Sequence, residues 1–281
     1  MTPDKPVTDS TMSRQQKAKW FRKSLVIPTE HGSWSWLLVP YFVGVIVSGQ
    51  WNLASLLVLI GGFSAFLVRQ PMTSWIRIRD GRGRKSDLTL AAGWTIGLST
   101  VAFIALLGLL VMGQATLLWL LPPTAGIFIL YLLAARQKRS STRKLGMEVA
   151  GAAGLAAMAP AAYIASTANL NSVAWFLWLL MACQNTVGVM YVRLRLADTH
   201  RRAINRANVV AYHVIVMLVV SVSAGAGWIP WLATLPFVAF LLRAVWATAR
   251  ERPVPNIKRF GFTEVGVEIV GGILIAAGWL V

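Results

Sequence analysis

Charged residues are scarce in this chain of 281 residues, and acidic residues are the scarcest of them. Only 13% of the residues are charged, whereas roughly a quarter are charged in a soluble globular chain. Ten acidic residues stand against 27 lysines and arginines, which gives a formal net charge of +17. With 56% hydrophobic residues and a mean hydropathy of +0.61, the composition excludes a water-soluble enzyme, a disordered chain and a collagen-like protein. It predicts an integral membrane protein.

Cysteine is nearly absent too. The single cysteine, Cys183, cannot form an internal disulfide, so nothing in the sequence points to an oxidising compartment. The sequence also lacks a clustered Cys/His metal site, a Gly-rich phosphate loop, a serine nucleophile elbow and a CxxC motif. We therefore predict no metal ligands and no cofactor from these motifs.

Nine apolar stretches follow a polar, basic leader, residues 1–27. Each is close to the roughly 20 residues that a membrane-spanning helix needs, and only helices satisfy their own backbone hydrogen bonds economically in hydrocarbon. The sequence predicts an all-α protein in which a single transmembrane domain, residues 28–281, has nine helices. The stretches, numbered spans 1 to 9, are 33–50, 52–68, 89–111, 115–135, 145–165, 172–192, 209–226, 229–248 and 263–281.

The basic residues divide completely between alternate connections. All 27 lie in the leader, in 69–85, in 136–144, in 193–206 or in 243–259, and the other connections carry no charge. By the positive-inside rule this predicts a multi-pass protein of the cell membrane, with the amino terminus cytoplasmic and the carboxyl terminus outside. It argues against nucleic acid as a partner, because the charge lies beside the membrane rather than on one folded face, and it favours contact with anionic membrane lipids.

A short pattern recurs where spans 2 and 6 end. The run from Trp75 to Arg79 and the run from Tyr191 to Arg195 both read aromatic, aliphatic, Arg, aliphatic, Arg. Glu30 at the entry of span 1 has a counterpart in Glu148 at the entry of span 5, and Pro40 has one in Pro160. These matches predict two four-helix repeats, about 28–135 and 145–248, with a last helix at about 263–281.

Polar residues at membrane depth are the first candidates for function. We predict that one cytoplasm-facing cavity holds an anionic headgroup, because arginine binds phosphate or carboxylate oxygens through two parallel hydrogen bonds. Structural roles compete with this hypothesis: the glutamates that begin odd-numbered spans suit helix N-termini, and His213 suits a hydrogen-bonded interior position. The predicted binding residues are Glu30, His31, Arg69, Arg77, Asn185, Arg193 and Arg195.

The motifs resemble those of the YwiC-like family of bacterial membrane proteins. The resemblance rests on the entry motif from Pro28 to Trp34, on Arg69-Gln70-Pro71 and on the run from Val192 to Arg195, and covers about residues 27–205. More distantly, the layout is similar to that of the UbiA superfamily of intramembrane prenyltransferases. That similarity implies nine spans, and magnesium held by acidic motifs at the cytoplasmic ends of spans 2 and 6.

The acidic motifs of the UbiA superfamily are missing here. Only Asp80 and Asp198 lie near the positions of those motifs, at the ends of spans 2 and 6. Magnesium binds several oxygen ligands in near-octahedral geometry. Magnesium is therefore not supported, although arginines could neutralise a diphosphate directly. Three functions remain open: a prenyltransferase-like protein that binds or transfers an isoprenoid or lipid-linked anion, a small-anion transporter, and a non-catalytic membrane subunit with unknown protein partners. Catalytic residues are not assigned.

Overall fold

The computed structural model describes residues 23–26, 31–136 and 145–281. These residues form nine spans in the order that the apolar stretches predict, and no β-strand occurs among them. A short helix, Lys23–Val26, precedes the spans. The α-helices of spans 1 to 9 are Ser35–Ser48, Leu53–Arg79, Leu88–Val111, Leu121–Arg136, Leu145–Leu155 with Met158–Thr167, Ser172–Thr199, Arg206–Gly225, Leu235–Thr248 and Ile257–Gly278.

The predicted class, an all-α membrane protein, is confirmed. Eight spans in the described part of the chain are long and apolar enough to cross a membrane, and the helix of span 1 is a shorter apolar helix of 14 residues. The direction in which the spans cross, and the two-repeat arrangement of the UbiA superfamily, stay predictions.

Spans 2 and 6 continue well beyond their predicted ends. Their helices have 27 and 28 residues and run to Arg79 and Thr199 instead of 68 and 192. At 1.5 Å per residue each is about 40 Å long, about 10 Å more than the hydrocarbon layer. The predicted ends were wrong because hydropathy marks where a helix leaves hydrocarbon, whereas arginine is a good helix former and the helix continues into the polar layer.

Spans 1, 5 and 6 form the centre, and spans 3 and 4 lie at the periphery. We compared the fraction of residues that are buried in the most apolar stretch of each span. This fraction is 61% in span 5 and 56% in span 6, but only 17% in each of spans 3 and 4. Spans 1 and 5 touch through their backbones, because a Cβ atom at Gly44 would lie only 2.2 Å from the Ala159 carbonyl oxygen. This close approach leaves no central space between these two spans at that level.

Two prolines make the central helices irregular. Pro40 lies inside the helix of span 1 and has no N–H to donate to the carbonyl of Trp36. Span 5 is interrupted at Ala156 and Ala157, just before Pro160, and there the Ala157 N–H donates to Gly154 instead of Ala153. Each irregularity releases a backbone carbonyl from the regular pattern, and buried carbonyls need another donor.

The ends of spans 2 and 6 only partly agree with the predicted repeat. Asn52 and Asn171 both cap the helix that follows, through side-chain oxygens that accept from the N–H groups of Ser55 and Ala174. At the other ends, residues of positive φ, Gly81 at 76° and Arg201 at 52°, terminate the helices. However, Gly81 follows Arg77 by four residues, whereas Arg201 follows Arg193 by eight. The equivalence of Arg77 with Arg193 stays a prediction that these helix ends do not support.

Candidate functional site

Two polar regions occur among the described residues. The first is a cleft beside the turn that follows span 2, and the second is a line of hydrogen-bonded groups between spans 6, 8 and 9. We call them the basic cleft and the polar seam. The basic cleft lies at the end of the bundle that carries the lysines and arginines, called here the basic end. The polar seam runs from that end, at Arg243 and Glu264, towards the middle of the bundle, at Gln184 and Glu268.

Local backbone geometry shapes the basic cleft. The helix of span 2 ends where the Arg82 N–H donates to the carbonyl of Arg77 and the Gly81 N–H donates to that of Ile78, at 2.8 and 3.1 Å. Gly81 supplies the positive φ that this ending requires. A Cβ atom at Gly83 would lie 2.7 Å from Ile78 Cγ1, so only glycine lets the chain fold back closely against the helix.

The basic cleft has a volume of about 460 Å³ and is dominated by guanidinium groups. Arg82 donates to Asp80 at 2.8 Å, and this pair is partly exposed. The three arginines outnumber the one lining carboxylate, that of Asp87. The lining residues are Leu25, Ser74, Arg77, Ile78, Arg82, Gly83, Arg84 and Asp87.

Of the predicted binding residues in the first half of the chain, Arg77 lines the basic cleft and Arg69 lies deeper. The Arg69 guanidinium lies over the rings of Tyr131 and Phe66, with 4.8 and 5.6 Å to the ring centroids. An aromatic face stabilises a cation that is partly removed from water. Glu30 lies outside the described residues, and of His31 only the backbone is described, in the 3₁₀ turn His31–Trp34.

The predicted arginines of span 6 contact other residues of the second half. Arg193 donates to Glu148 of span 5 at 2.6 Å, so the two residues form an ion pair between spans 5 and 6. Arg195 donates to the Tyr191 hydroxyl at 2.8 Å and to the Arg252 carbonyl at 3.1 Å. These contacts fix span 6 to span 5 and to the connection between spans 8 and 9.

Asn185, also a predicted binding residue, lies in the centre of the bundle and is fully buried. Its Nδ2 donates to the carbonyls of Trp36 and Ala152 at 2.9 and 3.0 Å, and so joins spans 1, 5 and 6. The described contacts thus distribute the predicted residues over several places. That all seven line one cavity stays a prediction.

The polar seam contains residues that the predicted set left out. Gln184 Nε2 donates to both the carbonyl and the side-chain Oε1 of Glu268, at 2.9 Å each. Nearer the basic end, Arg243 of span 8 pairs with Glu264 at 3.0 Å and lies 3.8 Å from the centroid of the Tyr191 ring. The spacing of Glu264 and Glu268, four residues apart on one helix face, is the sequence signal that indicates this region. Gln184, the partner of Glu268, is also marked in the sequence as a polar residue inside the apolar span 6, whereas Arg243, the partner of Glu264, gave no such signal.

His213 shows the interior role that competed with function. It is buried in span 7, and its Nδ1 lies 2.8 Å from the carbonyl oxygen of Val209, one turn earlier. The single histidine of this apolar span is therefore a side chain that hydrogen-bonds within its own helix.

The two aspartates nearest the expected acidic motifs are both bound to arginine. Asp80 pairs with Arg82, and Asp198 pairs with Arg206 and also accepts from the Arg252 N–H at 2.9 Å. Within residues 23–26, 31–136 and 145–281, no three His, Cys, Asp or Glu side chains are grouped as a metal site requires.

Comparison with known proteins confirms the resemblance inferred from the motifs. Residues 27–163 match the family model described as YwiC-like protein. The chain is 25% identical over 234 residues to the uncharacterized protein YwiC of Bacillus subtilis (strain 168), and this alignment covers 83% of the chain and 90% of that relative. No solved structure gives a significant match. The similarity to the UbiA superfamily stays an expectation from the motifs.

Proposed function

We propose that this multi-spanning chain, which is similar to YwiC-like proteins, binds the phosphate headgroup of a membrane lipid in its basic cleft. The observation that carries the proposal is the convergence of Arg77, Arg82 and Arg84 on one cleft with a single lining carboxylate. A planar guanidinium binds phosphate oxygens through paired, charge-assisted hydrogen bonds.

The depth of the cleft suits a headgroup. Arg77 is 24 residues beyond the start of span 2 at Leu53, or about 36 Å along the helix. Hydrocarbon accounts for about 30 Å and the polar layers extend a bilayer to about 40–45 Å. The Arg77 side chain would then lie at headgroup level, while the apolar side chains of Leu25 and Ile78 in the same cleft contact the beginning of the lipid chain.

Within this class we favour an isoprenoid or other lipid-linked phosphate. Support comes from the similarity in layout to the UbiA superfamily, and from arginines at the place where its members hold magnesium. In this proposal the guanidinium groups neutralise the phosphate without a metal. If a transfer reaction follows, the same groups stabilise the departing diphosphate, as preorganised cations do.

Binding of farnesyl diphosphate to the protein in phosphatidylcholine nanodiscs tests the proposal. Binding should persist in a chelator. Arg77→Ala should weaken it about tenfold to a hundredfold, because a hydrogen bond to a charged group contributes about 1.5–3 kcal/mol. Arg250→Ala is the matched control, since Arg250 is exposed in the connection between spans 8 and 9 and does not line the cleft.

Two results would contradict the proposal. One is equal affinity of the Arg77→Ala and Arg250→Ala variants, which would mean that net charge alone attracts the ligand. The other is binding that disappears in the chelator yet survives Arg77→Ala, which would restore a magnesium-dependent site at Asp80 or Asp198.

A second candidate function, transport of a small anion, is favoured by the interruption of span 5. Interrupted helices in the middle of a membrane line the substrate sites of many transporters. Against it, the connections opposite the basic end, Gly49–Asn52, Met112–Gln114, Ala168–Asn171 and Ala226–Pro230, contain no charged residue. Chloride or phosphate flux in proteoliposomes would support transport, and its absence would leave headgroup binding as the better account.

A further inference from the structure

A small space beside Gly188 of span 6 is bordered by polar atoms from two other spans. A Cβ atom at Gly188 would lie 3.7 Å from Glu268 Oε2 of span 9 and 3.7 Å from Trp36 Nε1 of span 1. Gly188 itself is half-buried, whereas its neighbours on the helix, 184–187 and 189–190, are buried. The missing side chain therefore leaves an accessible space beside a carboxylate and an indole N–H.

Glu268 lies deep within its span. It is 5% exposed and follows Ile257, where the helix of span 9 begins, by 11 residues, which is about 17 Å along the helix. This places its carboxyl group near the middle of a hydrocarbon layer about 30 Å thick. A carboxyl group at this depth is expensive to bury, and such groups in membrane proteins usually serve a ligand or a proton.

Gln184 holds this carboxyl group in a defined orientation. Its Nε2 donates to Glu268 Oε1, so the other oxygen, Oε2, is the one that borders the space beside Gly188. Gln184 is only 1% exposed, and its own Oε1 has no hydrogen-bond donor within the described part of the chain. This oxygen lies towards Gly271 of span 9, whose Cβ position would be 2.6 Å away, and does not border the space beside Gly188.

We propose that the space beside Gly188 binds the hydroxyl group of a membrane-soluble, long-chain alcohol. Trp36 Nε1 donates to the hydroxyl oxygen, and Glu268 Oε2 accepts the hydroxyl hydrogen. A hydroxyl group is both donor and acceptor, which matches the two bordering atoms. A phosphate or an ammonium group would bring a full charge into the hydrocarbon layer, which is costly. The site uses none of the arginines of the basic cleft, so it does not depend on the proposed function.

Modification of Glu268 by dicyclohexylcarbodiimide, a lipid-soluble reagent for carboxyl groups, reports whether the space is open or filled. The protein is treated in membranes, and the modified fraction of the Glu268 peptide is measured by mass spectrometry. Farnesol should slow the modification of the wild type, whereas farnesyl methyl ether, which cannot donate a hydrogen bond, should not. The expected difference is about twofold to tenfold, from the one hydrogen bond to Glu268 that the ether does not make.

The variant Gly188→Ala tests whether the space itself binds the alcohol, because it fills the space without disturbing the fold. Its methyl group would make ordinary contacts of 3.7 Å, so the helix keeps its place while the space is filled. We expect slower modification of Glu268 and no further protection by farnesol. Trp36→Phe should allow modification but lose the protection. Gly266→Ala is the control, because Gly266 lies in span 9 with no atom within 4 Å of its Cβ position, and it should behave as the wild type.

Three outcomes would overturn the proposal. The first is a wild-type Glu268 that the reagent does not modify, which would mean that the space is closed. The second is equal protection by farnesol and its methyl ether. The third is a Gly188→Ala variant that is modified and protected like the wild type. Arg77→Ala should leave protection by farnesol unchanged, which keeps this test separate from that of the basic cleft.

Discussion

At the scale of single residues, two side chains of span 6 supply hydrogen bonds that the backbones of other spans have lost. Asn185 Nδ2 donates to Trp36, whose carbonyl lacks the donor that a residue other than Pro40 would give. Trp178 Nε1 donates at 2.9 Å to Ala153, whose carbonyl is released by the interruption of span 5. Span 6 therefore compensates for irregularities in its two central neighbours.

We expect Trp178→Phe to lower the free energy of unfolding by about 1–3 kcal/mol, because the partly buried Ala153 carbonyl then loses its donor while the side chain stays aromatic. Asn185→Leu should also lower the free energy of unfolding, because the Trp36 carbonyl then loses its donor. Trp175→Phe is the matched control, since Trp175 is exposed and stacks on Trp178 at 5.9 Å. Unfolding in detergent can be followed through the reaction of Cys183 with a maleimide. Equal midpoints for the two tryptophan variants would contradict the assignment.

The seven predicted binding residues show how far residue patterns reach. Arginines at the ends of spans 2 and 6 were found because charge is rare in this chain, and Arg77 does line a cleft. Asn185 was found for its depth, but depth alone does not distinguish a ligand contact from a bond between helices. Arg243 was missed, because its partner Glu264 and the ring of Tyr191 are brought to it only by tertiary packing.

At the scale of helices, hydropathy predicted the existence of each span. It did not predict where each helix ends or where a helix is interrupted. The interruption of span 5 lies where Pro160 follows a run of alanine and glycine. These small residues pack closely, but they are apolar, so hydropathy does not indicate that the helix is interrupted there. The extra turns of span 2 carry arginines, which hydropathy excludes from a span although they favour the helix. Hydropathy therefore predicts the number and order of the apolar helices better than it predicts the course of each helix.

The contact between spans 1 and 5 gives a test at this scale. We expect Gly44→Ala to destabilise the protein by about 1–3 kcal/mol, because the new methyl group would overlap the Ala159 carbonyl, a backbone atom that moves only with its helix. Gly225→Ala serves as the control, since no atom lies within 4 Å of its Cβ position. Thermal unfolding followed by circular dichroism measures both. A Gly44→Ala variant as stable as the control would mean that the two spans are further apart.

At the scale of the whole molecule, the division of charge between the two ends predicts the direction of insertion. In a Cys183→Ser background, a membrane-impermeant maleimide added to whole cells should label Trp51→Cys and Leu170→Cys. It should label Arg82→Cys and Arg250→Cys only after the membrane is opened, because basic connections are retained in the cytoplasm. The reverse pattern would invert the protein and place both the basic cleft and the leader outside.

The donors that span 6 supplies also order the biogenesis of the protein. While the chain emerges from the ribosome, spans 1 to 5 enter the bilayer first, and the carbonyls of Trp36 and Ala153 then lack the partners found in the finished bundle. Unsatisfied carbonyls in hydrocarbon are costly, so the early intermediate holds its central helices loosely. Arrival of Asn185 and Trp178 closes them. We therefore expect a chain that is truncated just before span 6 to be degraded by membrane quality-control proteases faster than the full chain.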